Sequence, residues 1–170
     1  MSARANILQR LRAAPQATPP LPPDVPAFHA ACHAGLAAGT RAARIALFCE
    51  KMAFWHGEVV RVTRANWPQT LRELCVTKGV RSLLHGEPHT AALRAAGIGG
   101  LKPYDRPVDA WKKELFEATD ASLTSTRGGI AETGTLIIWP DVDEPRLMSL
   151  VPPIHFALLD ADQLYDDLFG

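Results

Sequence analysis

Residues 123–138 read LTSTRGGIAETGTLII, and this stretch decides how the rest of the chain is interpreted. Two apolar runs, 129–131 and 135–139, flank the pair Thr133-Gly134, and this predicts two strands joined by a tight turn in which glycine supplies a positive φ. Elsewhere, strand-like apolar runs alternate with helical patterns of about ten residues. The alternation predicts an α/β fold with a mostly parallel sheet flanked by helices. Such sheets bind ligands at the carboxyl ends of their strands.

The periodicity of apolar residues assigns the remaining elements. It predicts helices over 1–16 (with Ser2 as N-cap), 41–56, 67–78, 88–96, 109–117 (with Asp109 as its cap) and 161–169. It predicts strands over 58–62, 80–85, 101–104, 129–131, 135–139 and 155–159. Residues 140–145 are predicted to form a polar loop, and the glycines at 97, 99 and 100 a turn.

A proline-rich stretch separates the first helix from the remainder of the chain. Six prolines between Pro15 and Pro26 favour an extended conformation and cannot continue a helix. We therefore predict an N-terminal helix and arm over 1–26 and a single α/β domain over 27–170. The arm is either a surface tether or a segment that crosses to the second subunit of a homodimer.

Composition excludes several classes of protein. The 170 residues suit one domain, and 18 basic side chains balance 18 acidic ones, so no overall field attracts nucleic acid. The longest apolar runs are too short to span a membrane. Arginines at 4, 10 and 12 interrupt the N-terminus, which argues against a secretory signal and makes the cytoplasm the expected location.

The cysteines and histidines do not form a metal-binding pattern. Cys32, Cys49 and Cys75 are widely spaced, which suits free thiols, and they are too few for an iron–sulfur cluster with four thiolate ligands. His29, Cys32 and His33 share a helix face, but no further ligand lies at a suitable spacing. We therefore expect no metal and no cofactor in this chain.

The quoted stretch also carries the chemistry. Arg127 can clamp a carboxylate or phosphate with two parallel hydrogen bonds, while Glu132, in an apolar frame, is a candidate acid, base or nucleophile. Glycines admit close approach of a small anionic ligand, and hydroxyls donate to it. The candidate ligand-binding residues are Thr126, Arg127, Gly128, Gly129, Thr133, Gly134 and Thr135. The alternative is a plain turn with a solvated glutamate.

A second motif lies downstream. The pattern A-E-T-G-T-L at 131–136, followed by S-L-V-P-P-I-H at 149–155, resembles the signature of the lactate-utilisation protein C family, or LUD domain. The resemblance is firm over 118–170 and extends to the first half only in layout. It implies that 132–135 line a site, and it adds His155 as a second candidate catalytic residue beside Glu132.

The resemblance also carries expectations about fold and function. It implies the fold of ribose-5-phosphate isomerase, glucosamine-6-phosphate deaminase and the CoA transferases. It implies an accessory or ligand-binding role in L-lactate oxidation to pyruvate, alongside two iron–sulfur partner proteins that carry the clusters. Family members usually continue beyond the point that corresponds to Gly170, so we expect the family's C-terminal segment to be missing here. The alternative is a stand-alone enzyme in which Glu132 serves CoA transfer or sugar-phosphate isomerisation.

Overall fold

The computed structural model describes residues 3–13, 22–33 and 39–168, and the chain divides into two units, Met1–Ala37 and Ala38–Gly170. In the first unit, helix α1 spans Ala3–Ala13 with every residue exposed, and α2 spans Val25–His33. Asp24 Oδ1 accepts a hydrogen bond from the Ala27 N–H at 3.0 Å and so caps α2. Ser2, residues 14–21 and the side chains of His29, Cys32 and His33 lie outside the description.

The described part of the second unit contains five α-helices. They are α3 (Arg41–Phe54), α4 (Trp67–Thr77), α5 (Thr90–Ala95), α6 (Lys112–Glu117) and α7 (Leu147–Leu150). Thr40 caps α3 through a hydrogen bond that its Oγ1 accepts from Ala43 N. Among the described residues, no helix has both the length and the apolar character needed to cross a membrane.

The main sheet contains four parallel strands in the order β2-β1-β3-β6. The strands are β1 (Leu83–His85), β2 (Leu101–Pro103), β3 (Ala121–Ser125) and β6 (Ile154–Leu158). This arrangement confirms the predicted α/β class and the mostly parallel sheet. All four carboxyl ends therefore meet at one edge, where a ligand site is expected.

Helices cover both faces of this sheet. On one face, Leu83 and Leu123 pack with side chains of α4 and α5, including Leu71 and Leu93. On the other face, Leu84 packs with apolar side chains of the α6 and α7 region, namely Trp111, Leu115 and Met148. Because the strands are buried on both sides, their apolar runs are continuous rather than alternating.

A smaller sheet lies beside the first and carries the quoted stretch. Its order is β5-β4-β7, with β4 at Gly128–Ile130, β5 at Thr135–Ile137 and β7 at Leu164–Tyr165. The predicted hairpin is confirmed as the antiparallel pair β4–β5, and β7 pairs with β4 in parallel. Phe48 of α3 packs in a small core with Ala131 and Leu164.

Two predicted elements are wrong. Residues 58–62 form no strand, because none of the described residues pairs with them, and Val59, Val60 and Val62 remain partly exposed. The predicted helix over 161–169 is the second: its described residues, 161–168, form no α-helix, and a short 3₁₀ helix, Ala161–Gln163, leads into β7. There, Leu164 is buried and pairs with Gly129, so tertiary pairing overrides the helical pattern.

The structure differs from the prediction in three smaller ways, at two helix starts and at one strand. Residues 88–96 begin as a 3₁₀ helix at Glu87–His89, and Asp109 lies in a second 3₁₀ helix, Val108–Ala110, instead of capping α6. Strand β3 was not predicted. Ser122 and Thr124 gave it a polar appearance, but both side chains are buried and hydrogen-bonded, to Met148 O and to His155 respectively.

Candidate functional site

The carboxyl ends of β1 and β3 bring two chain segments together. After His85 the chain passes Gly86 into the 3₁₀ helix Glu87–His89, and after Ser125 it continues to Thr126 and Arg127. Because β1 and β3 are parallel neighbours, with His85 opposite Leu123, both segments leave the sheet at the same edge. The topology thus places His89 beside Ser125.

His89, Ser125 and Glu144 form a hydrogen-bonded group that we call the polar cluster. His89 Nε2 lies 2.9 Å from Ser125 Oγ and 2.9 Å from Glu144 Oε1. The Ser125 N–H donates to Glu144 Oε2 at 2.8 Å, and Ser125 Oγ lies 3.3 Å from Glu144 Oε1. The side chains of His89 and Glu144 are only 12% and 11% exposed, so these bonds are largely shielded from water.

The loop after β5 delivers Glu144 to the cluster. Asp141 Oδ1 accepts hydrogen bonds from the N–H groups of Asp143 and Glu144, which closes the loop on itself. The loop approaches β1 closely, since a Cβ on Gly86 would lie 2.7 Å from both Asp143 O and Glu144 Cγ. A glycine after β1 is therefore needed for Glu144 to reach Ser125.

The protonation pattern of the cluster follows from its geometry. Burial raises the pKa of Glu144, but the hydrogen bonds from His89 and Ser125 and the charge of His89 outweigh it, so the pKa lies below its ordinary value. An ionised carboxylate only accepts hydrogen bonds, so His89 Nε2 must carry a hydrogen. Nε2 then donates, and it cannot act as a base toward Ser125.

A cavity of about 230 Å³ opens beside the polar cluster at this edge of the sheet. It is lined by Pro88, Ser125, Thr126, Arg127, Trp139, Asp141, Asp143, Glu144 and Gln163. Of these residues, Arg127 is the single cation. Its side chain is exposed and makes no hydrogen bond or ion pair with any other described residue. The guanidinium is therefore available to an anionic ligand.

The structure brings only part of the predicted site to this cavity. Thr126 and Arg127 line it, and Gly128 follows them directly. Gly129 lies within β4, where a Cβ would meet Leu164, Leu159 and Phe48 at 3.0–3.1 Å, so its place is in the packing between α3 and the small sheet.

The turn of the hairpin lies at the other end of β4. Between Arg127 and Ala131 the extended chain covers roughly 13 Å. Gly134 has φ +67°, and a Cβ there would lie 2.7–2.9 Å from Lys51 and Met52 of α3. Trp55 Nε1 donates to Thr133 O at 3.1 Å, which fixes the turn against the end of the same helix. These contacts give the turn a packing role.

The remaining predicted site residues of the turn, Thr133, Thr135 and Glu132, lie away from the cavity. Thr133 Oγ1 and Thr135 Oγ1 are 2.8 Å apart, and both residues are exposed. Glu132 is half-buried, and its N–H donates to Asp166 O at 3.1 Å. None of these three residues lines the cavity.

His155 lies inside the main sheet. It is opposite Ser122 in the register of β3 and β6, and its Nε2 is 2.8 Å from Thr124 Oγ1. Burial lowers the pKa of His155, and the nearby charge of Glu144 opposes this. His155 is therefore within range of the charge of Glu144, and its hydrogen-bond partner is Thr124.

Sequence reasoning did not identify the polar cluster. His89 and Glu144 are separated by more than fifty positions, and neither belongs to a recognisable motif. The available signal was topological: Gly-Glu-Pro-His at 86–89 follows a buried strand directly, so its polar residues lie at the carboxyl edge. Within the described ranges no group of three or more His, Cys, Asp or Glu side chains is arranged to hold a metal ion.

Comparisons with known proteins agree with the fold. The LUD domain profile matches residues 45–169. An uncharacterised protein from Neisseria meningitidis serogroup B is 36% identical over 173 aligned positions, which cover 98% of this chain and 72% of that protein. The crystal structure of a DUF162 family protein from Deinococcus radiodurans superimposes with a TM-score of 0.68 at 23% identity, covering 77% of each chain. The chain therefore belongs to the LUD domain family, which is associated with lactate utilisation.

Proposed function

We propose that this protein is a ligand-binding component of a cytoplasmic system that oxidises L-lactate to pyruvate, and that its cavity binds one of these small carboxylates. The observation that carries the proposal is the Arg127 guanidinium at the carboxyl edge of the parallel sheet, which forms no ion pair or hydrogen bond with the residues that the structure describes. Membership of the LUD domain family supports the link to lactate. In this proposal, two iron–sulfur partner proteins perform the electron transfer.

Among anionic ligands, the charges in the cavity favour one with a single negative charge over one with several. Arg127 offers one positive charge, whereas Asp141, Asp143 and Glu144 are acidic. Asp141 and Glu144 direct oxygens toward hydrogen-bond donors of the protein, which leaves Arg127 as the group that meets an anion. A ligand with several negative charges, such as a sugar phosphate or CoA, would face the acidic residues with a single cation to offset them.

The cavity volume favours the same class. Pockets for drug-sized ligands occupy about 300–1,000 Å³, and the volume of about 230 Å³ lies below that range. A three-carbon acid with bound water suits this space better than a nucleotide. The alternative enzyme, with Glu132 as nucleophile or base, gains no support from the cavity, because Glu132 is not in its lining.

Replacing Arg127 by alanine tests the proposal. Arg127→Ala removes a charge-assisted contact to the carboxylate, which is worth about 1.5–3 kcal/mol, so we expect the dissociation constant for L-lactate or pyruvate to rise about 10- to 100-fold. Titration calorimetry on the full chain measures it. Arg94→Ala, at an exposed arginine of α5, is the matched control and should bind normally.

Growth experiments with the same variants distinguish the role in lactate use from the alternative enzyme that uses Glu132. A strain that lacks the gene should fail to grow on L-lactate as sole carbon source, and Arg94→Ala should restore growth where Arg127→Ala does not. Undiminished growth of the deletion strain would count against the role in lactate use. If Glu132→Gln abolished binding while Arg127→Ala left it intact, the site would instead lie at the turn.

A further inference from the structure

The direction of the hydrogen bonds in the polar cluster determines what Ser125 offers a ligand. His89 Nε2 carries a hydrogen that lies between two acceptors, Glu144 Oε1 and Ser125 Oγ, each 2.9 Å from the nitrogen. The Ser125 hydroxyl hydrogen then has one protein acceptor within reach, Glu144 Oε1 at 3.3 Å, which is a long O–H···O contact. The serine hydroxyl is thus oriented by its neighbours but weakly engaged as a donor.

The other polar side chains of the cavity are less suited to donate a hydrogen bond to a ligand. Thr126 Oγ1 already donates to Leu158 O at 2.9 Å. Gln163 and Trp139 are exposed residues of the lining. Ser125 is half-buried and is held by the largely buried side chains of His89 and Glu144. Of the described lining residues, it provides the most fixed neutral hydrogen-bond donor.

Ser125 and Arg127 lie two positions apart, and both line the cavity. The chain leaves β3 after Ser125 and bends at Arg127 before β4 begins, so the two side chains face the cavity from either side of this connection. A small acid in this cavity of about 230 Å³ therefore meets two donors, the charged guanidinium of Arg127 and the neutral hydroxyl of Ser125.

We propose that Ser125, positioned by His89 and Glu144, selects ligands that carry a hydrogen-bond-accepting oxygen on the carbon next to the carboxylate. The ligand class is the short 2-oxo and 2-hydroxy monocarboxylates, and the unsubstituted acids of the same length are discriminated against. This inference rests on the proposed function, because it presumes that Arg127 holds the carboxylate. Ser125 acts here by binding and not as a nucleophile, since His89 Nε2 is a donor and cannot take its proton.

A series of three acids on three proteins tests this. Binding of pyruvate, L-lactate and propionate is measured by calorimetry with the full chain, with Ser125→Ala and with Arg127→Ala. One neutral hydrogen bond corresponds to about a tenfold difference, so at least one of the oxygenated acids should bind about tenfold more tightly than propionate. Ser125→Ala should remove this preference and leave propionate binding unchanged. Ser149→Ala, whose hydroxyl donates locally to Arg146 O, is the matched control.

The outcomes distinguish the inference from the proposed function. If propionate binds wild-type protein as tightly as both oxygenated acids, or if the preference survives in Ser125→Ala, the inference is wrong and Arg127 binding stands. If none of the three acids binds the wild-type protein, the proposed function fails and the inference with it. The wild-type comparison needs no substitution, so misfolding of Ser125→Ala cannot obscure the result.

Discussion

Gly100→Ala is expected to lose about 4 kcal/mol of unfolding free energy, enough to unfold a protein of ordinary stability at modest denaturant concentration. Gly100 precedes β2 and has φ +67°, a conformation that costs an L-residue free energy. A Cβ there would lie 1.8 Å from Arg81 O and 2.8 Å from Arg81 C, so the backbone before β1 would have to move. The hydrogen bond from Leu83 N to Gly100 O would be strained as well.

Two neighbouring glycines provide matched controls for this substitution. Gly97 shares the positive φ of 68° but has nothing within 4 Å of a built Cβ, so Gly97→Ala measures the backbone cost alone, about 1 kcal/mol. Gly99 has neither constraint, and Gly99→Ala should be nearly neutral. Urea unfolding gives the three values. Equal losses for Gly100→Ala and Gly97→Ala would contradict the close approach of these two segments.

Glu144→Ala is expected to lose about 3 kcal/mol of unfolding free energy, which is the second large effect. The substitution leaves the Ser125 N–H without its acceptor in a shielded position, and a buried unsatisfied donor costs about 1–3 kcal/mol. It also removes the charged one of the two acceptors near the His89 Nε2–H. Ligand binding should weaken too, since Ser125 and His89 lose their orientation. Glu117→Ala is the control: its side chain is 65% exposed, so we expect a change within about 0.5 kcal/mol.

The pH dependence of this effect has a definite sign. The pKa of Glu144 is lower in the folded protein than in the unfolded chain, where a glutamate has a pKa of about 4.3. The stabilisation is therefore fully present above about pH 4.3 and is lost as the pH falls through the lower folded value. The difference in unfolding free energy between wild type and Glu144→Gln should shrink on acidification. A difference that stays constant from pH 7 to pH 3 would show that the charge of Glu144 contributes nothing.

The sequence predicted most of the fold because its strongest signals are local. Helices α3 and α4 have clear apolar stripes and defined ends, and Gly79 follows α4 with φ +68° as a C-terminal cap requires. Strand β3 escaped prediction because its serine and threonine look like loop residues. Their burial depends on partners that are distant in sequence, Met148 and His155.

The site was predicted only where its residues are close together in the sequence. Arg127 was recognised by its chemistry, as the cation in a stretch rich in glycine and hydroxyl side chains, and the structure places it in the lining of the cavity. His89 and Glu144 come from two other segments, and only the parallel pairing of β1 with β3 and the loop after β5 unites them. The role of residues 132–135 as site residues remains a prediction, beside the packing contacts that the turn makes with α3.

The most direct test of the central claim is a crystal structure of the full chain grown with L-lactate or pyruvate. We expect density for the acid in the cavity at the carboxyl end of β3. Its carboxylate should contact the Arg127 guanidinium, and the hydroxyl or oxo oxygen on the adjacent carbon should contact Ser125 Oγ. An acid bound at the turn beside Glu132, or a cavity without ligand at concentrations where calorimetry shows saturation, would contradict the claim.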